Sequence, residues 1–445
     1  MIMATHNIKL EAGFDKNLVE TGIHSTRYLV AAMDLDEIKQ NTIKSIPLNL
    51  ALVIDRSGSM AGQPLDAAKK SAIGIVECLG KDDILSVVSF DDNITLHLDA
   101  MTTDKTARDK AIKEIESISP GGRTNLSGGW LEGAMRVAHS IENNSTTMAN
   151  SVVLLTDGMG NLSLTDPDQL ATHANELLQR GISSSVIGIG PNYHSGQVSA
   201  IANSGGGSLH HASLPHEIIE IVTGEILSLK SLSVSNVRLS LNVPPGVIVS
   251  NLNGYSRTDY DSSCEFIIGR IINGIKKEAV FMMTLMPEKS DTQFDIGITL
   301  SFTDPTNSQI IINDKIIRQI NVVDAGHNRD QLRDIGLSKT VVNTWHSWIV
   351  RTALSYNDRG LYSQARNFVI KQKSLMEKYC LGLTGSEQLI DELEELLRRI
   401  YKPIDPMLMK EASILYHKRA VYNGEMRRGK IFAKKLSDRN IWSEF

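Results

Sequence analysis

Leu50-Ala51-Leu52-Val53-Ile54-Asp55-Arg56-Ser57-Gly58-Ser59 is the stretch whose reading settles the fold. Its first half is too short for a helix and too uniformly apolar for a strand with one face in water. It reads as a central strand of a parallel sheet with helices on both faces. The second half places a carboxylate and two hydroxyls at alternate positions on the loop that ends this strand. Hard oxygens so arranged suit a small divalent cation, Mg²⁺ above all. Short polar residues also punctuate loops, and Ser57 and Ser59 could serve as caps and turn residues alone.

Two further segments bear on that choice. Gly121-Gly122-Arg123-Thr124-Asn125 is a glycine-hinged loop ahead of a helical pattern, and Thr156-Asp157-Gly158 ends a second buried-strand run, Ser151-Val152-Val153-Leu154-Leu155. In open α/β sheets ligands gather at the carboxyl ends of strands, where Asp55 and Asp157 both fall. Together the three segments resemble the von Willebrand factor A-type (VWA) domain. Its metal-ion-dependent adhesion site takes an Asp-x-Ser-x-Ser loop, a threonine on a second loop and an aspartate on a third. The resemblance covers about 47–228 and implies that Asp55, Ser57, Ser59, Thr124 and Asp157 ligate one Mg²⁺, with Mn²⁺ or Ca²⁺ as alternatives. Two carboxylates, ligating directly or through water, and three neutral hydroxyls offset the ion's charge without over-neutralising it, and they leave an octahedral ion at least one position for water or an incoming oxygen. An Asp or Glu carboxylate of a partner protein is the natural occupant.

From 47 to about 228 strand and helix patterns alternate as a doubly wound α/β domain requires, with strands at 48–54, 83–90, 93–98, 151–156, 183–189 and 207–211. Helical patterns fall at 64–79, 104–117, 127–142, 167–180, 195–203 and 215–228. Asp91-Asp92-Asn93 predicts a tight turn, making 83–90 and 93–98 a hairpin with an antiparallel edge strand. From about 231 alternating runs at 264–272, 277–286, 293–303 and 309–323 predict an antiparallel β-sandwich. His24–Met33 is also strand-like and has no room for a domain of its own. The expected architecture is therefore a mostly parallel VWA-type domain (47–228) inserted into a sandwich built from 1–46 and 229–325. A helical region (326–445) follows, opening on an apolar stripe Leu332, Ile335, Leu337, Val341, Val342, Trp345, Trp348 and Ile349.

Composition narrows the function. With 445 residues, 41% of them hydrophobic, the chain has the apolar surface for several cores. A net charge of −5 argues against a general nucleic-acid coat, and no stretch approaches the ~20 apolar residues of a membrane span. Cys78, Cys264 and Cys380, odd in number and far apart, predict buried fillers in a reducing compartment. The opening residues lack the apolar segment of a secretory signal, so a cytoplasmic protein is expected.

Other signals have plain readings. Residues 410–445 hold nine Lys/Arg against four Asp/Glu, without an aromatic stacking array, and read as a solvated helix face. Adjacent His210 and His211 point to opposite faces of a strand and do not share an ion. Gly205-Gly206-Gly207 enters a strand without a following Gly-Lys-Ser/Thr and reads as a tight turn. Asn161 is expected to brace the Asp157 loop, and Glu394/Arg398 and Glu395/Arg399 to pair at i,i+4.

The favoured function is a metal-dependent protein-binding adaptor or scaffold. The resemblance makes an AAA+ ATPase on another chain a candidate partner, since some bacterial multidomain VWA proteins work beside one. Surface or pilus adhesion is the alternative. A metal-dependent hydrolase is disfavoured because the site segments offer no His or Glu as general base. No enzyme activity is expected.

Overall fold

The computed structural model describes residues 8–35, 47–143, 148–157, 160–189, 195–212, 233–272, 276–287, 292–303, 310–313, 315–405 and scattered positions between 408 and 420. The expected helix at 215–228 and the basic segment beyond 420 lie outside these residues.

The chain begins with strands β1 (Ile8–Phe14), β2 (Leu18–Glu20) and β3 (Ser25–Leu35). A six-stranded sheet follows, built from β4 (Leu48–Asp55), β5 (Ile84–Phe90), β6 (Ile94–Thr102), β7 (Ala149–Thr156), β8 (Ile182–Ile189) and β9 (Gly206–Ala212) in the order β6-β5-β4-β7-β8-β9. Every pair is parallel except the β5–β6 hairpin, which turns at Asp91-Asp92-Asn93. The helices between these strands are α1 (Gln63–Cys78), α2 (Lys105–Ser117), α3 (Leu126–Asn143), α4 (Pro167–Gln179) and α5 (Ser195–Ser204).

β4 is central, and all eight of its residues are buried. Its period of two divides them: Leu50, Leu52 and Ile54 pack with Leu65, Ala68, Ile75 and Ile115 of α1 and α2, while Ala51 and Val53 pack with Trp130, Val137, Leu170 and Val198 beneath α3, α4 and α5. α3 comes close to the sheet because it faces it with glycine. A Cβ on Gly133 would run into Val53, and one on Gly129 into Phe90. Trp130 fills the space beside them, fully buried, its indole N–H donating to Ser184 Oγ at 3.0 Å.

After this domain come β10 (Ser233–Asn242), β11 (Ile248–Asn251), β12 (Arg257–Tyr260), β13 (Ser263–Ile272), β14 (Lys277–Leu285), β15 (Gln293–Thr303), β16 (Ile310–Ile312) and β17 (Ile316–Val323). β3 pairs antiparallel with both β1 and β14, so the chain leaves the sandwich at β3 and rejoins it at β10. The four-stranded sheet β1-β3-β14-β11 faces a larger sheet, β12-β13-β10-β15-β17-β2, with β16 also on β15. Two details differ from expectation. The run at 309–323 is two short strands that follow one another along β15, the register shifting by one residue between Ile312 and Ile316; and β17 pairs with β2 in parallel.

β3 is buried on both faces. Leu29, Ala31 and Met33 enter the sandwich core, whereas Tyr28 and Val30 face a layer of helices. After the short helix α6 (Ala325–Asp330), which lies beside β2, that layer comprises α7 (Ile335–Asp358), α8 (Tyr362–Cys380) and α9 (Glu387–Leu397). Trp345 stacks against Tyr28 with ring centres 5.5 Å apart, and Tyr379 meets both rings edge-on at 5.3 and 5.8 Å. Such pairs add about 0.5–1.5 kcal/mol each beyond the area they bury. Trp348 packs on Phe368. The buried stripe starts later than predicted, because Leu332 is 93% exposed and Ile335 half exposed.

Two more expectations are corrected. Only Cys264 is a buried filler; Cys78 is exposed and Cys380 half-buried, and none of the three is in a disulfide. The Glu394 carboxylate meets Lys373 of α8 at 2.8 Å, because a neighbouring helix offers a cation closer than Arg398 along its own. Against β9 of the first domain lies β13, where Gly269 (φ +84°) sits on the backbone of Gly206. Of the glycine run at 205–207, expected to be a turn, only Gly205 turns the chain; Gly206, at φ +64°, and Gly207 already belong to β9.

Candidate metal centre

Three loops meet at the carboxyl ends of β4, β5 and β7. The first leaves β4 at Asp55, whose side chain is fully buried. Asp55 Oδ1 accepts the Ser57 amide at 2.8 Å, which bends the loop back on itself, and Oδ2 accepts the Thr156 hydroxyl at 2.6 Å. Burial pushes the Asp55 carboxyl up to about 6, against the pull of the Thr156 and Ser57 hydrogen bonds, and the Asp157 charge adds to the rise. A buried carboxylate beside a second one calls for positive charge.

A chain of oxygens links the first loop to the third. Ser57 Oγ lies 3.1 Å from Ser59 Oγ, and the Ser59 hydroxyl donates to Asp157 Oδ1 at 2.9 Å. Two carboxylates and the neighbouring hydroxyls are all hard oxygen donors, the kind that suits a divalent cation such as Mg²⁺ or Ca²⁺. Among the described residues no three His, Cys, Asp or Glu side chains gather as a metal cluster, so hydroxyl oxygens must complete the set.

Thr124 bonds through its backbone to Asn161 and Leu162 of the third loop. Its amide donates to Asn161 Oδ1 at 3.1 Å, its carbonyl accepts from the amides of Asn161 and Leu162, and among the described residues its hydroxyl makes no hydrogen bond. The second loop is tied to the first by two backbone bonds, Gly121 N–H to the Arg56 carbonyl at 2.7 Å and Gly58 N–H to the Gly122 carbonyl at 2.8 Å. Asp55, Ser57, Thr124 and Asp157 are all buried, and Ser59 alone of the five is exposed.

Asp55, Ser57, Ser59 and Asp157 thus form one hydrogen-bonded cluster, with Thr124 held beside it by loop contacts. Asn161 braces the Thr124 and Asp157 loops as expected. Two supporting residues escaped the sequence reading. Thr156 orients Asp55, and its position directly before Asp157 at the end of a buried strand is the signal that could have found it. Gln197 of α5, nearly buried, exchanges hydrogen bonds with the Gly160 amide and carbonyl and also donates to the Thr165 carbonyl. Nothing local in the sequence marks it.

This geometry defines a class: a doubly wound α/β domain with three oxygen-bearing loops at one end of its sheet. Residues 49–219 match the family model of the von Willebrand factor type A domain. The chain carries a VWA domain. It is 29% identical over 234 residues to the Synechocystis protein sll0103, an alignment covering 52% of this chain and 53% of that protein, so the chain spans about half the length of that relative. Two solved structures share the fold over most of the chain. A von Willebrand factor type A protein from Catenulispora acidiphila aligns with a TM-score of 0.68 at 15% identity, covering 89% of this chain and 91% of that one. VWA2, the ArnB paralog from Sulfolobus acidocaldarius, aligns with a TM-score of 0.61 at 17% identity, covering 93% and 99%.

Proposed function

We propose that this protein is a metal-dependent protein-binding module, in which a Mg²⁺ held by Asp55, Ser57, Ser59, Thr124 and Asp157 captures a carboxylate of a partner. The observation that carries the reading is the Ser57–Ser59–Asp157 oxygen chain, which gathers hard oxygens from two loops at one point beside the buried Asp55 carboxylate. When bound, the ion supplies a Lewis-acidic position for one more oxygen. The chain's own residues do the rest: Thr156 and the Ser57 amide orient Asp55, and Asn161 orients the Thr124 loop. The exposed rim of Gly58, Gly121 and Gly122 has no side chains to bar a partner segment.

Binding is favoured over catalysis because the three site loops contain no His or Glu to serve as a general base, and both aspartates are engaged in the cluster. We read the sandwich and helices as the frame that positions the module. Three cysteines outside any disulfide accord with a reducing, cytoplasmic setting and an adaptor role, for which an AAA+ ATPase is one candidate partner. Affinity capture with the full chain tests the reading. A partner held in Mg²⁺ should be lost in EDTA and lost with Asp157→Ala, provided the variant still melts cooperatively. Capture indifferent to both treatments would refute it.

A further inference from the structure

Asp91 lies one residue beyond β5, between the loops that carry the candidate ligands, and it belongs to none of the ligand positions. Its carboxylate is nearly buried and takes three donors: Arg56 Nη2 at 2.8 Å and the Asn93 amide at 2.9 Å on Oδ1, and the Gly122 amide at 2.9 Å on Oδ2. Its backbone carbonyl accepts the Asn125 amide at 3.0 Å. Arg56 stands between Asp55 and Ser57, while Gly122 and Asn125 flank Thr124. One residue therefore grips the first ligand loop by a side chain and the second on both sides of its ligand.

The glycines follow from this arrangement. A Cβ on Gly121 would overlap the Asp91 carboxylate, so only a bare backbone lets that loop settle against it. Loop 118–125 has no regular structure of its own, and the Thr124 oxygen must be fixed by such contacts before an ion arrives. Residues that orient ligands without touching the metal typically change affinity by about 10–100-fold when replaced.

We propose that Asp91 is the positioning residue of the cation site, holding the Asp55–Ser59 and Gly121–Asn125 loops at ligating distance. This rests on the metal-binding reading above. Asp91→Asn keeps the shape but replaces one accepting oxygen with an NH₂, which must face either the Gly122 amide or the donors from Arg56 and Asn93.

The experiment is a Mn²⁺ titration of the full chain by calorimetry, for wild type, Asp91→Asn and Arg56→Gln, with melting of each in EDTA and at one fixed, sub-saturating Mg²⁺ concentration. Asp91→Asn should weaken Mn²⁺ binding by about tenfold, and Arg56→Gln by about threefold, since it removes one of the three donors. Positioning predicts that the rise in melting temperature on adding a fixed sub-saturating Mg²⁺ shrinks in Asp91→Asn, whereas a merely structural role lowers both midpoints equally and leaves that rise intact. Wild type that binds Mn²⁺ while Asp91→Asn binds within about twofold of it overturns the proposal alone. Wild type that binds no Mn²⁺ overturns both this proposal and the metal-binding reading. Should Asp91→Asn fail to fold, unchanged affinity in Arg56→Gln counts against the proposal.

Discussion

The Ser59 hydroxyl donates to Asp157 Oδ1 at 2.9 Å across 98 positions of sequence, closing the loop after β4 onto the loop after β7. Both strands are buried neighbours in register, Ile54 beside Leu155, so the two loops emerge side by side from one sheet edge. The pairing of the strands, more than any property of the loops, brings the two aspartates together.

Divalent metal should stabilise the fold through these residues. At a Mg²⁺ concentration of 100 times its dissociation constant, linkage predicts about 2.7 kcal/mol of added stability. Denaturant unfolding with and without Mg²⁺ should show that gain in wild type and none in Asp157→Ala. An equal gain in both would remove Asp157 from the ligand set.

Thr124→Ala removes one neutral oxygen whose hydroxyl takes no part in the hydrogen bonding of the described residues. Metal affinity should fall by about tenfold, in the range typical of weakening such a site, while the midpoint of melting in EDTA stays within error of wild type. A matching loss in EDTA would mean that Thr124 serves the fold rather than the ion.

Gly133→Val should drive a methyl into Val53 and lift α3 from the sheet. Overpacking of this kind costs about 1–3 kcal/mol, to which the change from glycine to a β-branched residue in a helix adds little. Urea unfolding measures it. No loss of stability would show that the α3–sheet distance relaxes freely.

The helical layer should confer acid sensitivity. His346 is fully buried on α7, and burial, then the charge of Arg419, pushes its imidazole from 6.5 down to about 3. Its Nε2 is 3.7 Å from Glu392, too far for a hydrogen bond, and Glu392 Oε2 already accepts from Tyr416 and Arg419. A depressed folded-state value means that stability is full above about 6.5 and is lost as the pH falls toward 3, because the unfolded chain takes up the proton first. From pH 7 to 5 the loss should be about 2 kcal/mol. His346→Gln should flatten that limb of a stability–pH profile; an unaltered slope would mean that His346 is not the group responsible.

Removing residues 1–40 should uncover β14, which pairs with β3 along its whole length. An exposed apolar strand edge invites association and loses its ladder. Amide exchange within 277–285 should quicken sharply and solubility fall. Unchanged protection there would mean that the four-stranded sheet survives without its N-terminal strands.

Much of this was legible in the chain. Uniform apolar runs at 48–54 and 151–156 predict buried parallel strands because no half-solvated strand tolerates them, and Asp-x-Ser-x-Ser, Thr124 and Asp157 stand out because each terminates or follows such a run. The N-terminal strand's partner could be inferred because a lone strand cannot bury its own face. Other features are invisible one residue at a time. Leu332 belongs to an apolar stripe by spacing and yet points into solvent, since the helix starts three residues later. Glu394 has a correctly spaced arginine and takes a lysine from another helix. The grip of Asp91 on Arg56 and Gly122, the brace from Gln197 and the hydroxyl of Thr156 on Asp55 depend on distances set by sheet order and helix docking. Local pattern determined which strands are buried and which oxygens stand at their ends. Only the tertiary structure decided which side chains hold those oxygens in place, because hydrogen bonds between residues up to 101 positions apart exist only once the sheet has assembled.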